Sequence, residues 1–313
     1  MKIAVIDLGT NTFNLLVADS TDNSSFRILH NSKIAVKLAK GSGEKKELKN
    51  DAITRGLNAI EKFTDIIREH NVQHVHGFAT AGIRNARNGN LFIKAVKDKF
   101  GIDIEVIEGE KEAEYVYHGV KQTFNLAGKC LILDIGGGSN EFVIADNDNI
   151  YWKKSYQMGV SYLLEKFKPS DPISIEEIEF INNFFQEKLP ELFDEVKKHQ
   201  VDTLIGASGA FETLSAMLRE EDKFESETGL QPSALAIDLT EFDDLFWRLI
   251  NSTLKERKKM KGLEAMRIEF IVLAALLVKF LVDKLKIKKL YQSNFALKEG
   301  IMHGLIKEQM PKV

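Results

Sequence analysis

The 313-residue chain has a single cysteine, Cys130, set in an apolar run. One thiol excludes a disulfide framework, and the apolar setting reads as a small buried hydrophobe, not a nucleophile. Such usage suits a reducing cytoplasm. Long apolar runs are also missing. The most apolar stretch, Phe270 to Val278, is bounded by Glu269 and Lys279, too short to span a bilayer, and reads as a buried core helix. Nor is there a large excess of either charge. Lys and Arg number 43 against 46 Asp and Glu, a net −3, which gives no global attraction to nucleic acid or membrane. His74 and His76 form a His-x-His pair without a suitably spaced third ligand, so the pair reads as outward-facing strand residues. Met1 to Ile6 lacks the plan of a signal peptide, and no helix-turn-helix segment is evident.

What is present centres on Leu133-Asp134-Ile135-Gly136-Gly137-Gly138-Ser139-Asn140-Glu141. Apolar runs at Cys130 to Leu133 and Phe142 to Ala145 flank it, the pattern of strand, tight turn, strand. Three successive glycines let backbone N–H groups converge on one point, as in phosphate-holding nests. Asp134 stands where a hard cation such as Mg²⁺ bridges carboxylate and phosphate, with Ser139 and Glu141 close by. A plain turn is the alternative. The N-terminus repeats the pattern: Ile6 through Asp19 aligns without a gap onto Leu133 through Asp146. Asp7 falls on Asp134, Gly9 on Gly136 and Thr12 on Ser139. Two such copies suggest a duplicated domain whose hairpins face each other across a phosphate chain.

Between the copies, Ser25 to Lys37 alternates loosely like further strands, and Lys40 to Glu44 is a flexible turn. Leu48 to His70 has helical spacing, with Ile53, Leu57, Ile60, Phe63 and Ile67 on one face. The strand Val72 to Ala79 runs into Thr80-Ala81-Gly82-Ile83-Arg84, a helix start that welcomes an anion. Arg84 and Arg87 are three apart; either could clamp a phosphoryl group, or both are solvated. Leu91 to Phe100 is helical and Ile102 to Ile107 extended. Glu108, Glu110, Glu112 and Glu114 then open a helix to about Val120. Acids suit a helix N-terminus, and one of them could orient an attacking water, though spacing does not select which.

Beyond the central hairpin, Tyr151 to Tyr156 reads as a strand and Met158 to Phe167 as a helix. Pro169 to Pro172 breaks the chain, and Ser174 opens a long charged helix with a capping box. The strand Val201 to Ile205 leads into Gly206-Ala207-Ser208-Gly209 and a helix from Glu212 onward, a turn that suits phosphate or close packing equally. Asp222 to Gln231 is polar and reads as mobile. Glu241 to Glu256 is helical. Basic runs at Lys255 to Lys261 and at Lys284, Lys286, Lys288 and Lys289 are solvated faces or a track for a long polyanion. Sparse aromatic interleaving argues against single-stranded nucleic acid. Leu290 and Tyr291 complete a short strand before a last helix from Leu297.

Taken together, these motifs resemble the exopolyphosphatase/guanosine pentaphosphate phosphohydrolase (Ppx/GppA) family of the actin-like ATPase superfamily. Ile6 to Phe13 is similar to the family's opening motif, with threonines where serines are common. Ala79 to Ala86 matches its second motif. Gly109-Glu110-Lys111-Glu112-Ala113 resembles the segment carrying the catalytic glutamate, which falls on Glu112. Asp134 to Glu141 is the most specific signature, with Asn140 where threonine is usual, and Gly206 to Gly209 matches a later glycine turn. Arg267-Ile268-Glu269 and Leu297-Lys298-Glu299-Gly300 depart from the usual Arg-Ala-Asp and Leu-Arg-Glu-Gly.

The resemblance implies an α/β fold of two actin-like (ribonuclease H-like) domains, each a mixed five-stranded sheet flanked by helices, meeting at a cleft. The expected domains are 1–122 and 123–296, with the last helix, about 297–313, packing back on the first. It also implies release of terminal orthophosphate from inorganic polyphosphate in the cytoplasm, or hydrolysis of guanosine pentaphosphate. A small-molecule kinase and a nucleotide-binding scaffold are remoter alternatives. Backbone groups of Gly9, Thr10 and Asn11 and of Gly136, Gly137, Gly138 and Ser139 are expected to hold phosphates. Asp134, with Asp7 and Glu141, is expected to place Mg²⁺ or another divalent ion such as Mn²⁺. Arg84 is expected to bind the transferred phosphoryl group and Glu112 to activate water. Long family members carry a further helical C-terminal region linked to polymer binding and dimerisation. Its absence here weakens any claim of highly processive degradation. A homodimer is allowed for among the partners; no nucleic acid or membrane partner is expected.

Overall fold

A computed structural model describes residues 1–20, 25–38, 40, 46–219 and 234–308. The turn read at Lys40 to Glu44 lies, apart from Lys40, outside the described residues, as do the polar segment Asp222 to Gln231 and the chain's last five positions.

The chain opens with β1 (Lys2–Leu8), β2 (Thr12–Ser20), β3 (Phe26–Ala35), α1 (Asn50–Glu69), β4 (His74–Ala79), α2 (Ala81–Arg84), α3 (Gly89–Phe100), β5 (Ile104–Val106) and α4 (Gly109–Val120). These strands form a mixed five-stranded sheet in the order β3-β2-β1-β4-β5, with β1 antiparallel to β2 and parallel to β4. One face of α1 buries Ala52, Gly56, Ala59, Ile60, Phe63 and Ile67. That stripe covers the sheet with Phe13, Leu15 and Val17 of β2 and Phe92 and Val96 of α3, the amphipathic logic that makes a helix pack on a sheet.

The second half runs β6 (Cys130–Ile135), β7 (Asn140–Ala145), β8 (Ile150–Tyr156), α5 (Val160–Phe167), α6 (Ile175–Lys188), α7 (Pro190–His199), β9 (Thr203–Ala207), α8 (Ser208–Leu218), β10 (Ala234–Ile237), α9 (Leu239–Ile250), α10 (Leu254–Arg257), α11 (Ile271–Leu285), β11 (Lys289–Ser293) and α12 (Leu297–Glu308). Its sheet has the order β10-β11-β9-β6-β7-β8. Six strands replace the expected five because β10, only four residues long, joins the edge antiparallel to β11. Three other readings change. The charged helix from Ser174 keeps its capping box with Glu177 but breaks at Leu189, where Pro190 starts α7; a proline fits a helix start, not an interior. The helix read over Glu241 to Glu256 divides at Asn251 because Thr253 and Glu256 form a new capping box. Helix α8 begins at Ser208, four residues ahead of Glu212.

The change of sheet falls between β5 and β6. Across it, α4 and α12 pack on each other and on both sheets. Val116 and Val120 of α4 share one apolar cluster with Ile301, Met302 and Ile306 of α12, Ile3 and Val5 of β1, and Ile132 and Val143 of the second sheet. The two helices approach through glycine: a Cβ on Gly300 would lie 1.8 Å from the Tyr115 carbonyl oxygen, and one on Gly119 2.0 Å from that of Ala296. Helix α11, the apolar run with charged flanks, is buried from Ile271 to Val278 in the second domain's core. Among the described residues no helix is long and apolar enough to cross a membrane.

Candidate active site

The two hairpins have one backbone plan. Asp7 pairs across the ladder with Asn14, and Asp134 with Glu141, the positions matched in the gapless alignment. Each turn is closed by the same bond: Gly9 N–H donates to Thr12 O at 3.1 Å, and Gly136 N–H to Ser139 O at 3.0 Å. This alters one expectation. The amides of Gly9 and Gly136 are taken up by the turns, so these glycines shape the nests rather than donate to phosphate. Thr10, Asn11, Gly137 and Gly138 have N–H groups without a backbone acceptor among the described residues, and these are the donors left for an anion. Ser139 is buried, and its hydroxyl bonds Glu141.

The turns meet tip to tip. A Cβ on Gly137 would stand 2.7 Å from Asn11 Nδ2, and one on Gly138 2.8 Å from Thr10 Oγ1. Only residues lacking a side chain permit that approach. Ser161 Oγ donates to Asn11 Oδ1 at 2.8 Å, tying the start of α5 to the opposite domain. Further along the cleft, Lys33 reaches Glu264 and Glu212, and Lys37 Nζ lies 2.7 Å from Glu269.

Four acids are buried around this junction: Asp7, Asp134, Glu141 and Glu112. Asn14 Nδ2 donates to Asp7 Oδ2 at 2.8 Å, while Asp7 Oδ1 is buried with no partner. Ser208 donates to Asp134, and Ser155 Oγ donates to Glu141 Oε1 at 2.7 Å. Glu112 Oε2 accepts from Arg84 at 3.0 Å, and the same guanidinium nitrogen donates to Ile107 O at 2.6 Å. Strand β4 and the short α2 deliver Arg84 from one side, and the first turn of α4 delivers Glu112 from the other.

Burial dominates the electrostatics. It lifts Asp134 to about 8, helped by the charge of Glu141 and opposed by the Ser208 hydroxyl. Burial lifts Glu141 to about 7 against hydroxyl bonds from Ser139 and Ser155 and the charge of Arg84. Asp7 rises to about 6, burial again outweighing the Asn14 bond. Glu112 is pushed well up by burial and by Glu141, with Arg84 pulling the other way. A group of mutually repelling buried carboxylates is held ionised by a positive charge.

Glu112 separates cleanly from its acidic neighbours. Glu108 and Glu110 are exposed. For Glu114, burial is outweighed by hydrogen bonds from Lys153 and Lys111, which hold it down at about 2. Arg87 is exposed and Arg84 is not. The sequence did not point to Asn14, Ser155, Ser161 or Ser208 as supports of the site. Only Ser208 had a signal, inside the small-residue turn after β9, and its φ of 63° shows how sharply the chain bends there. Arg257, within a basic run, is buried and bonded to Asp171, Ser252 and Ile268, so it is no part of an exposed cationic track.

Among the described residues no three His, Cys, Asp or Glu close on one point as a ready metal cage. The acids nonetheless fit a hard cation. The unpartnered Asp7 oxygen and the raised carboxylates are the donor set Mg²⁺ takes when it uses one or two carboxylates and completes its shell with phosphate and water.

Comparison with known proteins points one way. Residues 16–309 match the model of the Ppx/GppA phosphatase family. A solved exopolyphosphatase from Cytophaga hutchinsonii superposes with a TM-score of 0.93 at 33% identity, over 98% of each chain. A Haemophilus influenzae protein provisionally named an exopolyphosphatase is 29% identical over 98% of this chain and 92% of its own. A Vibrio vulnificus guanosine-5'-triphosphate,3'-diphosphate pyrophosphatase is 28% identical over 97% of this chain, which spans only 59% of that relative.

Proposed function

Since this chain belongs to the Ppx/GppA phosphatase family, we propose that it is an exopolyphosphatase, releasing terminal orthophosphate from inorganic polyphosphate by attack of water. The observation that carries the proposal is the buried Arg84–Glu112 pair beside Asp134 and Glu141 where two glycine hairpins meet. N–H groups of Thr10, Asn11, Gly137 and Gly138 hold the terminal phosphates, aimed where charge develops. Arg84 binds the phosphoryl group in transfer and keeps Glu112 in place. Because Arg84 occupies Glu112 Oε2, Oε1 takes the proton from water as the water oxygen bonds the terminal phosphorus in line, and the bridging P–O bond breaks with its electron pair leaving on the shortened polyphosphate. Ser155 and Ser208 fix the carboxylates of Glu141 and Asp134.

Asp134, with Asp7 and Glu141, would hold Mg²⁺ or another divalent ion such as Mn²⁺, which when bound offsets phosphate charge and keeps these acids ionised. We place the protein in a reducing cytoplasm, in keeping with its lone, buried cysteine.

The Vibrio relative's name keeps guanosine pentaphosphate as the alternative substrate. Phosphate release from both polyanions, with Mg²⁺, Mn²⁺ and EDTA, tests the proposal. Release from polyphosphate that EDTA abolishes is expected. Release from guanosine pentaphosphate alone would move the assignment to the alternative, and release from neither would end it.

A further inference from the structure

A cavity of about 440 Å³ is lined by Lys37, Lys40, Lys49, Asp51 and Arg55, none of them among the four buried acids of the hairpin junction. Among the described residues this is four cations against one acid, in a chain of net charge −3. Part of that charge is already engaged. Arg55 NH1 pairs with Asp51 at 2.6 Å, its Nε donates to Val36 O at 2.8 Å and its NH2 to Lys37 O at 3.1 Å. Lys37 directs its charge across the cleft to Glu269. Lys40 and Lys49 are exposed and have no acidic partner among the described residues.

The cavity wall continues into the N-terminal hairpin. The N–H groups of Val36 and Lys37 donate to Asn11 O at 2.8 and 2.9 Å, and that of Leu38 to Thr10 O at 2.8 Å. The backbone that Arg55 grips on one edge is therefore bonded to the phosphate turn on the other. Lys37 makes the bend with a φ of 44°, a left-handed conformation that a lysine adopts only when its surroundings hold it there.

We propose that this cavity is a second polyanion site, seating distal phosphates of an inorganic polyphosphate chain whose terminal phosphate lies at the hairpins. The site rests on the exopolyphosphatase reading of the hairpins. Lys40 and Lys49 supply the unpaired charge, and Arg55 and Asp51 fix the wall. The hairpin turn and the Arg55 wall lie on opposite edges of the Val36–Leu38 backbone, so a chain that fills both has to pass that backbone, and the site is proposed to favour long chains over short ones.

The test uses the full chain carrying Lys40→Gln and Lys49→Gln together. A charge-keeping pair, Lys40→Arg with Lys49→Arg, and a control pair on the basic run, Lys258→Gln with Lys261→Gln, accompany it. Binding of labelled long-chain polyphosphate is measured in EDTA, so that it does not depend on turnover, and KM is measured with Mg²⁺ for long-chain polyphosphate and for tripolyphosphate. The glutamine pair should weaken long-chain binding about tenfold and lower the slope of log affinity against log salt by about two, one for each phosphate no longer neutralised by a lysine. KM for tripolyphosphate should stay as it was, and the arginine and control pairs should behave as the parent. Unchanged long-chain binding, or an equal loss with tripolyphosphate, would overturn the site while leaving the hydrolase reading intact. Absence of any polyphosphate hydrolysis by the parent would instead refute the hydrolase reading, and the EDTA binding arm would still decide the site.

Discussion

In the N-terminal hairpin Asp7 faces Asn14; in the central hairpin Asp134 faces Glu141. The turns close on matching hydrogen bonds, and each aspartate ends the same kind of buried strand. An amide opposite Asp7 donates to it and leaves one oxygen free. A carboxylate opposite Asp134 repels it and helps to lift it further, to about 8 against about 6 for Asp7. Glu112 and Arg84 also gather on the central side, with Glu141 the leading charge acting on Glu112. One backbone device used twice can thus be specialised by a single facing residue, giving one hairpin with a free carboxylate oxygen and one that stores charge.

Removing charge from the central hairpin should break this comparison most visibly. Asp134→Ala should lose Mg²⁺-dependent phosphate release while the fold survives, because the side chain lies at a turn and adds little packing. Full activity with unchanged Mg²⁺ dependence would refute its role. Asp7→Asn should fall less and should mainly raise the Mg²⁺ concentration required.

The sign reverses for stability without metal, with Asp134 still the larger effect. Asp134→Asn and Asp7→Asn keep shape and hydrogen bonding but remove a charge that the fold buries. A group at about 8 against one at about 6, at about 1.4 kcal/mol per pH unit, puts the Asp134→Asn gain ahead by up to roughly 3 kcal/mol at pH 8. Denaturant melts in EDTA measure this, and equal gains would mean the hairpins are electrostatically alike.

A pH series on the parent sharpens the same point. Asp7, Asp134 and Glu141 titrate higher folded than unfolded, so the folded state binds more protons between about pH 4 and 8. In EDTA these groups make stability fall as pH rises through that window. Saturating Mg²⁺ should flatten the decline, and a decline of equal slope with Mg²⁺ would argue against a cation among these acids. The smallest effect belongs to the contact between the hairpins' domains. Ser161→Ala removes one bond to Asn11 and should cost about 1 kcal/mol in a melt, with kcat altered less than KM.

The hairpins were legible in the sequence because their signals are local: alternating apolar strands, an aspartate and glycines at fixed offsets. The gapless repeat also foretold the equivalent registers. Strand β10 was not legible, since four residues beside a polar segment give almost no periodicity, and pairing with β11 alone defines it. Within the site, spacing left Glu108, Glu110, Glu112 and Glu114 equal, and only the family resemblance singled out Glu112. Tertiary structure adds the physical difference: Glu112 is buried against Arg84, and its neighbours face solvent or lysines. Ser208 on Asp134 and Ser155 on Glu141 come from the start of α8 and from β8, elements that meet the hairpin only in the folded sheet. The role of Gly9 and Gly136 escaped the sequence because composition does not say which amide of a turn is already bonded.

The central claim is that Glu112 alone of its helix serves as base beside the charge-storing hairpin. Phosphate-release kinetics and polyphosphate binding for Glu112→Gln, Glu110→Gln and Glu114→Gln test it most directly. Glutamine keeps the shape and the Arg84 bond but does not take the proton. Glu112→Gln is expected to lose about 10²- to 10⁴-fold in turnover while still binding polyphosphate, with the two neighbours close to the parent. Normal turnover in Glu112→Gln, with a large loss in either neighbour, would contradict the account.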